Sequence, residues 1–500
     1  MRFCRCEKED IWRISKMLLR LSKNTFVRQY GDFTYIIGRI SSYDQMFCDA
    51  EVFFRWITRE PMEKSDIIRN ICSVYSEADS SEIAGDFEEF LRPLLEAKVI
   101  LAGNSIAELD AQEEYFTYDC ADPKTLEDTV VITKDEADFM PQTVLGEYFA
   151  KHPTLFRLQM DITQACTERC IHCYIPEYKP VFLPYEKICE ILDEFRDMGG
   201  LELTLSGGEC MLHPDFERIV RYARSKDLIV GILSNLTLCS EKIIKLFQET
   251  EATVQVSLYS MNPEIHDAIT RLPGSWKKTK AAIEAIRKAQ IPCRISCPTM
   301  KQNYQGYLEV INYARSLNMS AQTDFIIMGK MDSDTSNLSC RLDVEETREL
   351  LKDIIFKSVP MNSEYFNPAK KDDMLSNEEW MQRKVCGAGV DSMCLAPTGE
   401  YYPCPAFGGY VLGSCHEQTL REIWEKSPAI LRIRNVTGRD FPKCAVCPDR
   451  NYCSVCMCRN QNETGDIYTP AEHFCRVAAI NHELVDQLHA ARTSGDIHAL

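Results

Sequence analysis

The segment DITQACTERCIHCY, residues 161–174, holds three cysteines close together: Cys166, Cys170 and Cys173. Thiolates are soft ligands that favour zinc or iron–sulfur clusters over hard cations. A structural zinc site is normally closed by a fourth Cys or His. His172 is a candidate, but it stands between two of the cysteines, where reaching the same metal would strain the loop. We therefore expect an iron–sulfur cluster held by three thiolates, with one position open to a non-protein ligand; a zinc site is the alternative.

The order Cys-x3-Cys-x2-Cys, with an aromatic residue before the last cysteine, resembles the radical S-adenosylmethionine (radical SAM) superfamily. The resemblance implies that Cys166, Cys170 and Cys173 are the catalytic ligands of a [4Fe–4S] cluster. Its open iron then binds the amino and carboxylate groups of S-adenosylmethionine (SAM), and His172 lies in the cofactor-binding region. One electron from the cluster cleaves a carbon–sulfur bond of SAM and yields a 5′-deoxyadenosyl radical.

A second motif, Gly207-Gly208-Glu209, ends a predicted strand that follows the cysteine loop. Glycine lets the backbone approach a ligand closely, and a carboxylate accepts hydrogen bonds from an ammonium group. In the radical SAM family a GGE segment at this place binds the amino group of SAM. The resemblance therefore assigns these three residues to cofactor binding.

Later strand ends carry further polar residues. The resemblance implies that Ser234 and Asn235 meet the ribose hydroxyls of SAM and that Ser257 approaches its carboxylate. Arg271 is a candidate partner of the same carboxylate. Ser and Asn also cap helices by default, and an ordinary surface arginine is the alternative for Arg271.

The segments that must position these residues alternate between strands and amphipathic helices from Leu155 onward. This alternation predicts a parallel sheet, in which sites lie at the carboxyl ends of the strands. The cysteine loop follows the first strand, so we expect it at this carboxyl edge of the sheet. Six strand–helix units match the partial (β/α)6 barrel of radical SAM enzymes, which we expect over residues 151–345.

Cysteines return in CGAGVDSMCLAPTGEYYPC and CAVCPDRNYCSVCMC. These segments resemble the SPASM extension, whose seven-cysteine pattern binds two auxiliary [4Fe–4S] clusters, and we expect this domain over residues 386–476. By the resemblance, one cluster is ligated by Cys386, Cys404 and either Cys456 or Cys458, with Cys394 as a candidate fourth ligand. The other is ligated by Cys444, Cys447, Cys453 and Cys475.

One spacing departs from the SPASM pattern. The family usually has three residues between its fifth and sixth cysteines, whereas Cys453 is followed by Cys456 after two residues and by Cys458 after four. Both remain candidate ligands. A zinc ribbon is the alternative for the last cysteine group.

Residues 1–103 are expected to form a separate α/β module, with a hairpin in FVRQYGDFTYIIGRI and three helices after it. It resembles the PqqD-like, winged-helix module that binds the leader of a precursor peptide by adding it as a strand to a sheet edge. A winged helix without a peptide ligand is the alternative. We expect residues 1–21 to form an amphipathic helix rather than a secretory signal. An acidic linker at 104–150, a connecting segment at 346–385 and a C-terminal helix at 477–500 complete the predicted layout.

Composition limits the function classes. A chain of 500 residues is too long for one ordinary core. Its net charge of −18 argues against nonspecific nucleic-acid binding, and no apolar run is long enough to span a membrane. Twenty-four cysteines in a chain without a signal favour metal binding over disulfides, and hence the reducing cytoplasm.

These features predict an α/β radical SAM/SPASM oxidoreductase that modifies a ribosomally made precursor peptide, recognised by its leader. A flavodoxin or ferredoxin would supply electrons; nucleic acid and membrane are not expected partners. The resemblance to sactisynthases and ranthipeptide synthases favours a thioether between a Cys sulfur and a carbon. Carbon–carbon or carbon–oxygen (cyclophane-type) crosslinking and epimerisation are alternatives. A sulfatase-maturase-like or small-molecule SPASM enzyme and a non-catalytic iron–sulfur scaffold are further alternatives.

Overall fold

The structure is a computed structural model that describes residues 17–39, 43–48, 50–75, 79–116, 141–358 and 376–494. The chain divides into two compact units, which are described separately. The first comprises Met1–Thr117 and Phe139–Leu145. The second contains the remaining residues, and its described part begins at Gly146.

The N-terminal unit contains two three-stranded sheets. One is the meander β2-β3-β4, whose first two strands are the predicted hairpin, and the other has the order β5-β1-β6. The strands are β1 Leu18–Leu21, β2 Thr25–Tyr30, β3 Phe33–Gly38, β4 Tyr43–Cys48, β5 Met62–Glu63 and β6 Ile100–Gly103. The helices of this part of the chain are α1 Glu51–Phe54, α2 Lys64–Val74, α3 Ser80–Glu96 and α4 Ile106–Ala111, followed by α5 Pro141–Lys151.

One expectation for this unit is wrong. Leu18–Leu21, which we expected within an amphipathic helix, is the central strand of the second sheet. Leu19 and Leu21 are buried, and the strand pairs with β5 on one side and with β6 on the other. Pairing on both sides overrides the helical preference of four mostly leucine residues. Residues 1–16 of the expected helix lie outside the described residues.

Part of the predicted linker packs on the N-terminal unit. Arg20 is buried, and its guanidinium lies 2.8 Å from Asp110 and 3.0 Å from Glu113. Asn24 donates a hydrogen bond to the backbone carbonyl of Glu114 at 3.2 Å. The acidic residues here neutralise a buried arginine, so they are part of the fold of this unit.

The second unit is built on a nine-stranded sheet. Its first six strands are parallel neighbours in sequence order, which confirms the predicted partial barrel. They are β7 Arg157–Thr163, β8 Glu202–Gly207, β9 Ile229–Ser234, β10 Thr253–Ser257, β11 Cys293–Pro298 and β12 Ser320–Asp324. The intervening helices are α6 Tyr185–Asp197, α7 Phe216–Ser225, α8 Glu241–Thr250, α9 Pro263–Thr270, α10 Ser275–Lys288 and α11 Tyr307–Ser316.

The helices cover the sheet because their apolar residues repeat at helical spacing. Ile188, Ile191, Leu192 and Phe195 lie on the buried face of α6. They join the strand residues Leu158, Met160, Leu203 and Leu205 in the main core. This core holds the carboxyl ends of the strands in a fixed relation, which is what positions the site.

The cysteine-rich region continues the same sheet. Strand β13 (Ser392–Leu395) pairs in parallel with β7, and β14 (Glu400–Tyr402) and β15 (Gly413–Ser414) follow in antiparallel order. The helices that follow β12 in the chain are α12 Val344–Ser358, α13 Asn377–Gln382, α14 Leu420–Lys426, α15 Pro428–Asn435, α16 Pro442–Ala445, α17 Met457–Thr464 and α18 Glu472–Ser494. Among the described residues no helix has the length and apolar character needed to cross a membrane.

Candidate cofactor site and cysteine groups

The cysteine loop follows β7 and is held by backbone contacts with the end of α9. The Arg169 amide donates to the Thr270 carbonyl at 2.9 Å, and the Ile171 amide donates to the Ile269 carbonyl at 3.0 Å. On the other side, the buried Asn337 side chain donates to the carbonyls of His172 and Cys173 at 3.1 and 3.4 Å. The loop is thus fixed at the carboxyl edge of the sheet, where the sequence predicted it.

The three thiols of this loop lie in surroundings that disfavour a bare negative charge. Burial raises the pKa of Cys166 to about 12 and also raises the pKa values of Cys170 and Cys173. The carboxylates of Glu209 and Glu168 add to the effect at Cys166. Because only a thiolate is a strong metal ligand, a bound cationic centre would be needed to keep these sulfurs ionised.

His172 is bonded away from the thiols. Its Nε2 lies 3.0 Å from the Tyr259 hydroxyl, which in turn lies 3.7 Å from Cys170 Sγ. Burial lowers the pKa of His172 to about 4, so the ring is neutral near pH 7. This places His172 in the wall of the site, beside a ligand residue and joined to it through Tyr259. The geometry argues against His172 as the fourth ligand of a zinc ion.

The two glycines of the GGE segment make a close approach of two chain segments possible. Gly207 has φ of +126°, and a Cβ there would lie 2.2 Å from the Thr163 carbonyl oxygen. A Cβ on Gly208 would lie 2.3 Å from the Ala165 carbonyl oxygen. Both distances are shorter than any non-bonded contact, so only glycine fits. The GGE turn therefore packs directly on the backbone that leads into the cysteine loop.

Glu209 is completely buried and receives hydrogen bonds from its own unit. The Ser234 hydroxyl lies 2.9 Å from both carboxylate oxygens, and the amides of Asn235 and Met211 donate at 3.0 and 3.1 Å. Burial raises the pKa of this carboxyl, and these donors oppose the rise. Glu209 thereby joins the ends of β8 and β9.

The remaining predicted cofactor residues occupy different places. Asn235 lies at the site: its side chain donates to Thr167 Oγ1 at 3.0 Å and lies 3.8 Å from Cys166 Sγ. Ser257 ends β10, and its hydroxyl is hydrogen-bonded to Tyr259. Arg271 caps the end of α9 in a left-handed conformation (φ 53°), and its side chain is exposed. This exposure favours the surface alternative for Arg271.

Glu168 was missed by the sequence analysis, although it lies between two expected cluster ligands. It is buried, and Cys170 Sγ lies 3.3 Å from its Oε2. Its Oε1 is buried without a hydrogen-bond partner in the described part of the chain. Burial raises the pKa of this carboxyl to about 7. An acidic residue inside a metal-ligand motif was the signal available in the sequence.

These features fit a radical SAM cofactor set. The GGE turn offers backbone without side chains, and Glu168 Oε1 is a buried acceptor that lacks a donor. An ammonium group beside the cluster would supply that donor. The three loop cysteines are partly buried and supply soft ligands that a cationic centre would suit.

The first C-terminal cysteine group centres on Cys404. Hydrogen bonds to Cys404 and to Cys456 raise the pKa of Cys458, while the bond from Cys458 lowers the pKa of Cys456. Burial raises the pKa of Cys386, and the thiols of Cys404 and Cys456 add to that rise. Cys394 is buried and also interacts with Cys404. Cys386, Cys394 and Cys458 each interact with Cys404, and Cys456 interacts with Cys458 and Cys386, so both Cys456 and Cys458 belong to this group.

The second group brings together Cys444 from α16, Cys475 from α18 and two loop cysteines, Cys447 and Cys453. Burial raises the pKa of Cys444 to about 11, and the other three thiols add to the rise. Among the described residues no three Cys, His, Asp or Glu side chains surround a single metal ion. The iron–sulfur cluster and the alternative zinc ribbon both stay predictions for this group.

Two family models match parts of this chain. A family model described as the radical SAM superfamily matches residues 160–314, and one described as an iron–sulfur cluster-binding domain, SPASM, matches residues 386–449. An AdoMet-dependent heme synthase of Methanosarcina barkeri is 27% identical over 63% of this chain and 94% of its own length.

Two further proteins are similar. The antilisterial bacteriocin subtilosin biosynthesis protein AlbA of Bacillus subtilis is 24% identical over 62% of this chain and 69% of its own. The crystal structure of Streptococcus suis SuiB bound to its precursor peptide SuiA superposes with a TM-score of 0.58 at 14% identity. That match covers 91% of this chain and 99% of the other.

Proposed function

We propose that this chain, a radical SAM enzyme with a SPASM domain whose cofactors are [4Fe–4S] clusters and SAM, modifies a ribosomally made precursor peptide. The modification we favour is a thioether between a Cys sulfur and a carbon of the peptide. The observation that carries the proposal is the combination of the cysteine loop, the GGE turn and a separate N-terminal unit in one chain.

The N-terminal unit supports a peptide substrate. The likeness to SuiB covers 91% of the chain, which is too large a share to leave this unit out, and SuiB was crystallised with its precursor peptide. In the meander β2-β3-β4, the outer strands β2 and β4 each pair with a neighbour on one side among the described residues. We propose that the leader adds as a strand to one of these edges.

Cys166, Cys170 and Cys173 would hold the cluster, and the GGE turn with Glu168 would hold the amino group of SAM. When bound, SAM supplies a 5′-deoxyadenosyl radical that removes a hydrogen atom from the substrate. Buried side chains and hydrogen bonds of the chain hold the loop in place. Tyr259 and Glu209 are buried, and Asn337 and the α9 end hold the loop from two sides. Such fixed positioning favours reaction at one carbon.

The C-terminal cysteine groups fit a crosslinking reaction. A thioether replaces one S–H and one C–H bond, so two hydrogens leave the peptide. One leaves as a hydrogen atom, and the other as a proton and an electron. The two C-terminal cysteine groups, one around Cys404 and one around Cys444, would hold the clusters that accept this electron. An external flavodoxin or ferredoxin would supply the electron that starts the reaction.

A small-molecule substrate is the second candidate, because the heme synthase is 27% identical to this chain. That relative is matched over 94% of its own length by only 63% of this chain. The heme-synthase likeness therefore leaves more than a third of this chain without a counterpart. We place the peptide first for this reason.

Mass spectrometry of a neighbouring-gene peptide coexpressed with this protein tests the proposal. Loss of two hydrogens, with a fragmentation pattern that links a cysteine to another residue, would support the thioether. An unchanged mass with an inverted stereocentre would indicate epimerisation instead. The Cys170→Ala variant is the control, and undiminished product in that variant would contradict the radical mechanism.

The leader-binding part has its own measurement. Hydrogen exchange of the full chain with and without the precursor should show protection in β2 or β4, since an added strand shields edge amides. Protection confined to the second unit would contradict leader recognition by the N-terminal unit.

A further inference from the structure

A cavity of about 230 Å³ lies between the GGE turn and the first cysteine-rich hairpin of the second unit. Its walls include Gly207 of the turn, Asp161 and Thr163 of β7, and Cys394 and Tyr402 of the hairpin. Drug-sized ligands occupy pockets of roughly 300–1,000 Å³. This cavity is smaller and has room for one side chain. It also lies next to the turn that we assign to the cofactor.

Three carboxylates line this cavity at increasing depth: Asp332 is exposed, Glu400 is half-buried and Asp161 is 8% exposed. No Lys, Arg or His occurs among its lining residues, all of which belong to the described part of the chain. Lys330, two positions before Asp332, is paired with Asp334 at 2.7 Å. The cavity therefore has a strongly negative lining without a cation from the chain itself.

The innermost carboxylate is poorly compensated. Asp161 Oδ1 accepts a hydrogen bond from the neutral Gln159 side chain at 2.9 Å. Asp161 is only 8% exposed, so little water is left to solvate its charge. Glu400 differs because the Tyr402 hydroxyl donates to it at 2.8 Å and Thr398 at 3.2 Å. A buried carboxylate in an otherwise acidic cavity favours a cationic ligand.

We propose that this acidic cavity receives a lysine or arginine side chain of the substrate peptide, with Asp161 as its principal partner. The cation would anchor the peptide beside Gly207, so that a residue next to it in the sequence lies at the cofactor. This inference rests on the proposed function and names a feature of its substrate: a basic residue adjacent to the modified one. Asp161 is thus a specificity-determining residue.

Binding of short capped peptides tests this inference without requiring turnover. The probes are acetyl-Ala-X-Ala-amide with X as Lys, Arg, norleucine or Glu, titrated by calorimetry into the reconstituted enzyme with SAM under anaerobic conditions. We expect the Lys and Arg peptides to bind about tenfold more tightly than the norleucine peptide. The Glu peptide should bind most weakly.

Two variants locate the effect. Asp161→Asn keeps the shape of the side chain and should abolish the preference for Lys over norleucine, and Glu400→Gln should reduce it. Glu345→Gln is the matched control, because Glu345 lies on α12 with its side chain 80% exposed. This variant should prefer the Lys peptide over the norleucine peptide as strongly as the unaltered protein does. Equal binding of Lys and norleucine, no binding of any probe, or an unchanged preference in Asp161→Asn would each overturn the inference.

The coexpression experiment separates this inference from the proposed function. Precursor modification without any preference for cationic probes would defeat the acidic cavity alone. Cation preference that depends on Asp161, together with an unmodified precursor, would defeat the proposed function and leave the cavity as a cation site.

Discussion

The Ser234 hydroxyl lies 2.9 Å from both carboxylate oxygens of Glu209, although the two residues are 25 positions apart. Ser234 ends β9, and Glu209 follows the end of β8. The family resemblance assigns Ser234 to the ribose of SAM, but its hydroxyl holds the carboxylate of the GGE segment. The site is assembled by bonds between neighbouring strand ends.

Replacing Ser234 by alanine tests this bond. A buried carboxylate that loses a hydroxyl donor should cost about 2 kcal/mol, so the Tm of the reconstituted enzyme should fall by a few degrees. Differential scanning calorimetry measures the change. Ser225→Ala is the control, because its hydroxyl bonds a carbonyl on the exposed surface of α7. Equal Tm values for Ser234→Ala and the unaltered protein would show that the bond contributes little.

Gly208→Ala should disrupt the cofactor site. The added Cβ would lie 2.3 Å from the Ala165 carbonyl oxygen, and the backbone leading into the cysteine loop would have to move. We expect SAM affinity, measured by calorimetry, to fall by at least about tenfold. Gly231→Ala in β9 is the matched strand control, since its nearest contact would be an ordinary 3.7 Å. SAM affinity unchanged in Gly208→Ala would contradict the close packing described.

Glu168→Gln should weaken SAM binding without loss of iron. The substitution keeps the size of the side chain and removes the negative charge that we assign to the cofactor's ammonium group. We expect the Kd for SAM to rise by about fivefold to tenfold while iron per chain stays constant. Glu264→Gln, at an exposed helix start, serves as the control. An unchanged Kd, or a loss of iron that matches the loss of affinity, would contradict this role.

Removing iron with a chelator should loosen the C-terminal cysteine region selectively. Cys444 and Cys475 belong to different helices, and a shared cluster would join them, so binding energy of the cluster contributes to local stability. Hydrogen exchange should therefore quicken in α16 and α18 after iron removal. Helix α3, whose buried residues Phe87 and Leu91 pack in the core of the N-terminal unit, is the internal reference. Equal loss of protection in all three helices would indicate global unfolding instead.

The barrel could be predicted from the sequence because each strand and helix carries its own pattern. Ile188, Ile191, Leu192 and Phe195 repeat at helical spacing, and all four are buried. The location of the cysteine loop and the GGE turn followed from strand order alone. Short-range patterns suffice where the elements are long and regular.

The features that could not be predicted depend on distant partners. Leu18–Leu21 carries no alternation that marks a strand, and its pairing with residues 62–63 and 100–103 decides its conformation. Two of the donors to Glu209, the Ser234 hydroxyl and the Asn235 amide, lie at the end of β9 and directly after it. The unpartnered oxygen of Glu168 is visible only when its surroundings are known. The sequence predicts a linker at Glu113 and Glu114. Glu113 instead neutralises Arg20, which lies some 90 positions earlier and so could not be recognised as its partner.

The pairing of β13 with β7 has a consequence for biosynthesis. Strand β7 is made more than 200 residues before β13, which covers its outer edge. Until then, or in a chain truncated before residue 392, the strand RLQMDIT presents unpaired backbone groups along that edge. Exposed edges of this kind template pairing between chains. Truncated forms are thus expected to aggregate through β7. In the full chain the cysteine-rich region prevents this because β13 pairs with the exposed edge of the barrel.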